Sequence, residues 1–252
     1  MKPVMVLPDE SIPAELFVDP ERDADPGAHF IVVDDFLPNP FEVRKSALEL
    51  EFVQFAPPDP REVGEGVAAA NQDPDATWMA TSLLRFEGVV VNDPVRSSNE
   101  ISPEVRDRLS EIVGAPVLDD ESGTVGDGWH GAFHSITNED WRTRPSRGAI
   151  HHHYKEGDLP GRGWSGIVYL TPDAPPSSGT SLWKSLDTGR CVASFGIRFT
   201  HDPSRFTRVL TIENQFNRLV LFRENVLHRV EHGFGSTMED GRLTQSFSFL
   251  VG

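Results

Sequence analysis

Three consecutive histidines, His151, His152 and His153, stand before an apolar run in GAIHHHYKEGDLPGRGWSGIVYL. Imidazole is a ligand for iron, zinc, copper and nickel. Alternate side chains of a strand share a face. His151 and His153 therefore point one way, and His152 points the other way with Tyr154. Two imidazoles on one face bind a single ion when a third ligand arrives from a neighbouring strand. His228, in NRLVLFRENVLHRVEHG, is the candidate for that position. The apolar stretch from Leu219 to Phe222 reads as a strand, a polar turn follows, and His228 opens the next strand. His232 lies past that strand and ranks below it. A lone histidine is most often a surface group or a hydrogen-bonded core group, but a triplet joined by a fourth after a buried strand carries more weight.

A second chemistry is written in GRLTQSFSF. Arg242 and Thr244 are two apart and share a face of the last strand. A guanidinium grips a carboxylate through two parallel hydrogen bonds, and a neighbouring hydroxyl adds a third. Burying an arginine in such a strand is costly without an anion. The plainer alternative is an ion pair with one of the chain's 39 acidic residues. His134 in GAFHSIT, with Trp129 and His130, lies on a strand expected beside the ligand strand; these are pocket-lining candidates, with core or surface packing as the simpler role. Trp164 and Trp183 flank the sheet as packing residues, and Trp183 is the one placed to touch a substrate. Cys191 follows DTGR in a turn. With no base placed beside it, it is not read as a nucleophile.

The elements that must position these residues divide the chain in two. HFIVVDDFL (29–37) reads as a strand. NPFEVRKSALELEF (39–52) reads as an amphipathic helix, with Asn39 as cap, Pro40 in the first turn and Phe41, Ala47, Leu48 and Phe52 as its apolar stripe. SPEVRDRLSEIVG (102–114) is a second helix with a serine cap, Pro103, apolar Val105, Leu109, Ile112 and Val113, and Gly114 as its stop. Residues 1–28, rich in Pro and Asp, are expected to wrap the surface. The proline-rich stretch 56–78 is expected to be a mobile lid or a disordered loop. From about residue 129 onward, short β-prone runs separated by turn residues indicate a sandwich or barrel, and HDPSRFTRVLTIEN (201–214) is expected as a helix inserted among them. The chain reads as a single domain over 1–252, with helical and strand support over 1–128 and a jelly-roll core over 129–252.

Composition narrows the classes. The 252 residues are 38% hydrophobic and 25% charged, as expected for a globular protein, and suffice to bury a core without staples. One cysteine excludes a disulfide within the chain. A net charge of −16 disfavours nucleic acid and anionic membrane as partners. The N-terminus shows no apolar signal region, and no apolar run approaches the length of a membrane span. The expectation is a cytoplasmic protein with a small-molecule substrate, monomeric or homodimeric.

Taken in order, IHHHYKEGDLPGRGWSGIVYLTPDAPPSSGTSLW, NRLVLFRENVLHRVEHGFG and RLTQSFSF resemble the iron(II)- and 2-oxoglutarate-dependent oxygenases over about residues 130–250. VVDDFLPNPFEVRKSAL also looks like the opening strand and helix of prolyl-hydroxylase-like members. The resemblance implies a mostly β fold with a helical layer, a double-stranded β-helix of the jelly-roll or cupin kind packed against N-terminal helices. By it, His151 corresponds to the proximal ligand and His228 to the distal one. Arg242 corresponds to the residue that anchors the far carboxylate of 2-oxoglutarate, assisted by Thr244, and Tyr169 is a further candidate for holding the co-substrate. The family carries Asp or Glu two positions after the first histidine, where this chain has His153. The middle ligand is thus His153 itself, or Glu156 or Asp158 from the following turn, or the register shifts to His152. Halogenation, which needs a small residue there, is disfavoured. The implied cofactors are Fe(II), 2-oxoglutarate and O2, and the implied reaction is oxidation of a C–H bond in specialised metabolism by hydroxylation, desaturation or cyclisation, with succinate as co-product. Two rivals stand beside it: a three-histidine iron oxygenase independent of 2-oxoglutarate, and a non-catalytic jelly roll that binds metal or serves as a scaffold.

Overall fold

The alternation in RLTQSFSFL decides how the centre of the molecule is layered. The pleat sends Leu243, Phe247 and Phe249 to one face and Arg242, Thr244, Ser246 and Ser248 to the other. One face is an apolar core surface. The other is polar, although nearly all of its residues are buried. The computed structural model describes residues 5–6, 13–17, 30–50, 52–55, 78–80, 85–86, 89–90, 101–118, 130–137, 150–153, 163–193, 199–200 and 203–252.

In chain order the strands are β1 (Met5–Val6), β2 (Phe30–Val33), β3 (Val53–Phe55), β4 (Trp78–Ala80), β5 (Arg85–Phe86), β6 (Val89–Val90), β7 (Phe133–Ile136) and β8 (Ile150–His151). They continue with β9 (Gly163–Tyr169), β10 (Thr180–Ser185), β11 (Phe199–Thr200), β12 (Phe206–Ile212), β13 (Leu219–Arg223), β14 (His228–Val230) and β15 (Arg242–Leu250). The helices are α1 (Pro40–Leu48) and α2 (Pro103–Val113). An eight-stranded sheet runs β1-β2-β13-β9-β15-β7-β4-β3, and a five-stranded sheet runs β11-β8-β14-β10-β12. Every described strand pairing in them is antiparallel. The fold is mostly β, a jelly-roll-like pair of sheets backed by two helices.

Two apolar layers hold it. Ile31, Val33, Trp164, Val168, Leu219, Leu221, Leu243, Phe247 and Phe249 cover the outer face of the large sheet, and Ala47 of α1 and Leu109 of α2 pack on them. Phe30, Val32, Tyr169, Val220 and Phe222 cover the inner face and meet Leu182 and Ile212 of the small sheet. α2 forms as its sequence requires. The Ser102 hydroxyl accepts from the Val105 N–H at 3.2 Å, Pro103 occupies the first turn, and Gly114 ends the helix at φ +73°, where a Cβ would be strained.

Three expectations are corrected. α1 stops at Leu48, and Phe52 falls outside it, immediately before β3. Its Asn39 makes no side-chain capping bond, and Phe41 is exposed on a surface pair with Phe216, ring centroids 4.7 Å apart. Residues 203–205 form a short 3-10 turn and 206–212 are strand β12 in place of the expected helix. Phe206, Thr207, Val209, Thr211 and Ile212 are aromatic or β-branched and suit a pleated edge, and β10 supplies the pairing partner. Met5–Val6 do not simply wrap the surface; they add a strand to the edge of the large sheet. The expected lid falls outside the described residues, apart from Trp78 in β4.

Candidate metal centre

His228 is placed by β14, whose pairing sets it opposite His151 of β8 on one side and Leu182 of β10 on the other. Leu182 belongs to the apolar layer between the sheets, so His228 faces the interior too. Its ring lies 4.1 Å from that of Phe222, 4.2 Å from His151 and 4.8 Å from His153, centroid to centroid. The chain continues past β8 so that His151 and His153 remain on one side, their rings 5.1 Å apart. One ligand atom from each of the three lies within 4.8 Å of the others, and no Asp, Glu or Cys belongs to this cluster among the described residues.

Two hydrogen bonds orient the rings. His228 Nδ1 lies 2.9 Å from the Val226 carbonyl oxygen. A carbonyl only accepts, so Nδ1 carries the proton and Nε2 keeps its lone pair for an ion. His153 Nδ1 lies 2.7 Å from the Ser165 hydroxyl, which leaves Nε2 as its outward nitrogen. Burial, followed by the fields of His151 and His153, holds His228 well below the ordinary imidazole value. It is therefore neutral, the form a metal requires. Three imidazoles that each bring a ring nitrogen to one place fit a divalent transition ion.

Arg242 lies in the same interior. It is 1% exposed, its Nε donates to the Ser178 carbonyl at 2.8 Å, and its guanidinium sits 5.3 Å from the centre of the Tyr169 ring. No carboxylate among the described residues pairs with it. Burial pushes Arg242 below its usual range, while Tyr169 acts in the opposite direction. The Tyr169 hydroxyl donates across the sandwich to Thr180 Oγ1 at 2.8 Å. Thr180 is two residues from Leu182, the partner of His228, which amounts to about 7 Å of strand rise. On the facing sheet, four residues of β9, about 13 Å, separate Ser165, which bonds His153, from Tyr169. Thr244 is buried opposite Tyr169 and shares the inward face with Arg242. A guanidinium thus stands at one end of a buried polar strip and the imidazoles at the other.

His134 joins this strip. It pairs with Thr244, and its Nε2 lies 2.9 Å from Ser246 Oγ. Burial first, then the charge of Arg242, lowers its pKa to about 3. Other candidates lie elsewhere. Trp183 is on the opposite face of β10 from Leu182, with its indole N–H donating to Ser181 Oγ at 2.6 Å, away from the three imidazoles. His130 is on the helix side, between Phe247 and Phe249, where Nδ1 accepts from the Ser248 N–H. Trp164 is core against the helices. His152 is buried outside the cluster, and His232 is exposed beyond β14. Cys191 is buried, which raises its thiol to about 11 and keeps it protonated. Glu156, Asp158 and Trp129 fall outside the described residues. Ser165 and Val226, which orient the ligand rings, were not singled out from sequence. For Ser165 the available signal is a hydroxyl at an inward position of an otherwise apolar strand.

No family model matches the chain, and no curated protein matches it. Solved structures do. The chain is similar to SnoN, a non-haem alpha-ketoglutarate-dependent epimerase from nogalamycin biosynthesis, at 14% identity over 88% of this chain and 78% of that one, with a TM-score of 0.48. It is similar to HygX from Streptomyces hygroscopicus with nickel, 2-oxoglutarate and hygromycin B bound, at 13% identity over 88% and 83%, with a TM-score of 0.44. It is also similar to a prolyl hydroxylase from Trichoplax adhaerens in complex with a hypoxia-inducible-factor peptide fragment, at 14% identity over 89% and 84%, with a TM-score of 0.45. At these identities the likeness is one of fold alone.

Proposed function

We propose that the chain is a non-haem iron(II)- and 2-oxoglutarate-dependent oxygenase that oxidises a C–H bond of a small molecule. The observation that carries this reading is the placement, inside one sandwich, of three converging imidazoles and a buried guanidinium that no described carboxylate neutralises. The imidazoles supply a site for a transition ion. The guanidinium supplies a site for the far end of a diacid that also reaches the ion.

The residues divide the work. His151, His153 and His228 hold the iron, with the Val226 carbonyl and the Ser165 hydroxyl fixing two of the rings. Arg242 and Thr244 receive the distal carboxylate, and Tyr169, tied to Thr180, holds the guanidinium in place. Phe222 and Leu182 screen one side of His228 from water. When bound, iron(II) supplies the oxygen chemistry that couples decarboxylation of 2-oxoglutarate to oxidation of the substrate. The net charge of −16 favours a small-molecule substrate over nucleic acid.

The test is succinate formation by untagged protein given Fe(II), O2 and 2-oxoglutarate. Succinate above the metal-free control is expected. The absence of a carboxylate from the described cluster favours a second reading, a three-histidine iron oxygenase that needs no 2-oxoglutarate. Oxygen consumption with iron alone and no succinate would select that reading. Bound zinc with no oxygen consumption would select a non-catalytic metal-binding jelly roll.

A further inference from the structure

A guanidinium grips a carboxylate through two parallel hydrogen bonds only when the two planes are aligned. The angle of Arg242 therefore matters as much as its charge. Its Nε donates to the Ser178 carbonyl at 2.8 Å, and Nη2 donates to the Gly179 carbonyl at 3.5 Å. Both acceptors belong to the end of a 3-10 turn, Pro176–Ser178, that runs into β10. With part of the fork tied to these carbonyls, the direction of its remaining donors follows from where the turn sits.

Asn214, just past the end of β12, holds that turn. It is buried. Its side-chain nitrogen donates to Ser178 Oγ at 3.0 Å and to the Ser178 carbonyl at 3.5 Å, and its backbone N–H donates to the Pro176 carbonyl at 3.1 Å. The Ser178 hydroxyl gives its own proton to the Pro175 carbonyl at 2.6 Å. Both oxygens of Ser178 thus act as acceptors toward Asn214, and only the nitrogen end of the amide can serve them. The amide oxygen, also buried, has no hydrogen-bond partner among the described residues. An unmet buried acceptor lowers stability, a cost that an apolar side chain of similar size would avoid. What the amide contributes in return is its donors to Ser178. Gly179 permits the close approach. A Cβ there would lie 1.8 Å from the Ile212 carbonyl oxygen and 2.9 Å from the Asn214 nitrogen. The end of β12 therefore presses directly on the turn that Arg242 grips.

We propose that Asn214 is a positioning residue for the co-substrate: through Ser178 it sets the angle of the Arg242 guanidinium, and so the preference for an acid that carries a second carboxylate. Its effect passes through the turn, at the guanidinium end of the polar strip. The identity of the acid as 2-oxoglutarate rests on the oxygenase reading above; the chain of contacts from Asn214 through Ser178 to Arg242 does not.

The experiment is anaerobic calorimetric titration of 2-oxoglutarate and of 2-oxopentanoate into the Fe(II)-loaded full chain, with thermal unfolding to verify that each variant is folded. 2-Oxopentanoate keeps the 2-oxo acid head and lacks the second carboxylate. Asn214→Leu is expected to bind 2-oxoglutarate roughly threefold to tenfold more weakly, the effect of about one hydrogen bond, and to bind 2-oxopentanoate within about twofold of the unaltered chain. In an Arg242→Met background, adding Asn214→Leu is expected to change 2-oxoglutarate affinity by about twofold or less, because the group through which Asn214 acts is gone. Unchanged 2-oxoglutarate affinity in folded Asn214→Leu overturns the proposal and leaves the oxygenase reading standing. Equal weakening of both acids overturns it too, since that marks a general loosening of the fold. A full further loss in the double variant overturns the route through Arg242. Failure of the unaltered chain to bind either acid overturns the proposal and the oxygenase reading together. If Asn214→Leu does not fold, Ser178→Ala, which removes the hydroxyl that Asn214 holds, takes its place with the same expected pattern and the same overturning results.

Discussion

At the scale of single residues, neighbours decide what a side chain can do. His228 is a ligand candidate because the Val226 carbonyl takes the proton-bearing nitrogen and Phe222 covers the ring. Arg242 is an anion anchor candidate because its described partners are carbonyls and an aromatic ring. Replacing it with methionine fills similar space without the charge. Losing one side of a buried charge pair costs about 2 kcal/mol or more, roughly thirtyfold or more in affinity. Arg242→Met is therefore expected to raise the KM for 2-oxoglutarate by about that factor, measured by succinate formation against co-substrate concentration. An unchanged KM would exclude the anchor.

At the scale of elements, β15 and β9 separate two environments across one pleat. Their outward residues meet α1 and α2, and their inward residues line the strip between Arg242 and the histidines. α2 contributes Leu109, fully buried, to the outer layer. Leu109→Ala is expected to cost about 2–5 kcal/mol of stability through lost burial and the cavity left behind. The variant's Tm should fall, while Fe(II) affinity measured well below that Tm should stay unchanged, because the helix packs on the far face of the sheet. A loss of metal affinity equal to the loss of stability would show that the two faces are not independent. β12 shows the limit of local pattern: Phe206, Val209 and Leu210 fit a helical stripe, yet the edge of β10 takes the segment as a strand.

At the scale of the whole molecule, buried neutral imidazoles couple stability to pH. The pKa of His134 is lowered to about 3 in the folded chain, against about 6.5 when unfolded. Between those values the unfolded state binds a proton that the folded state refuses. The contribution of His134 is complete above pH 6.5 and is lost as pH falls from there toward 3, at up to about 1.4 kcal/mol per pH unit. His228, shifted in the same direction, adds to the slope. Denaturant titrations at pH 7, 6 and 5 should show declining stability, and His134→Gln should flatten part of the decline. An identical slope in the variant would remove His134 as a source. Among the described residues no helix is long and apolar enough to cross a membrane.

The sequence by itself determined what depends on neighbours in the chain. The Ser102 cap, Pro103 and Gly114 delimit a helix to within a residue because capping is a local matter. The alternation in RLTQSFSFL places Arg242 and Thr244 together because the pleat repeats every two residues. His151 and His153 share a side for a related reason, although only His151 lies in a strand. Only the tertiary structure decided that β14 and β8 pair, which brings His228 against residues 75 and more positions earlier in the chain. It alone turned Trp183 away from the imidazoles, gave His153 the Ser165 hydroxyl, and left Arg242 without a described carboxylate. Strand order and sheet-on-sheet contact are long-range choices made by burial across the whole core, and no local window of residue types contains them.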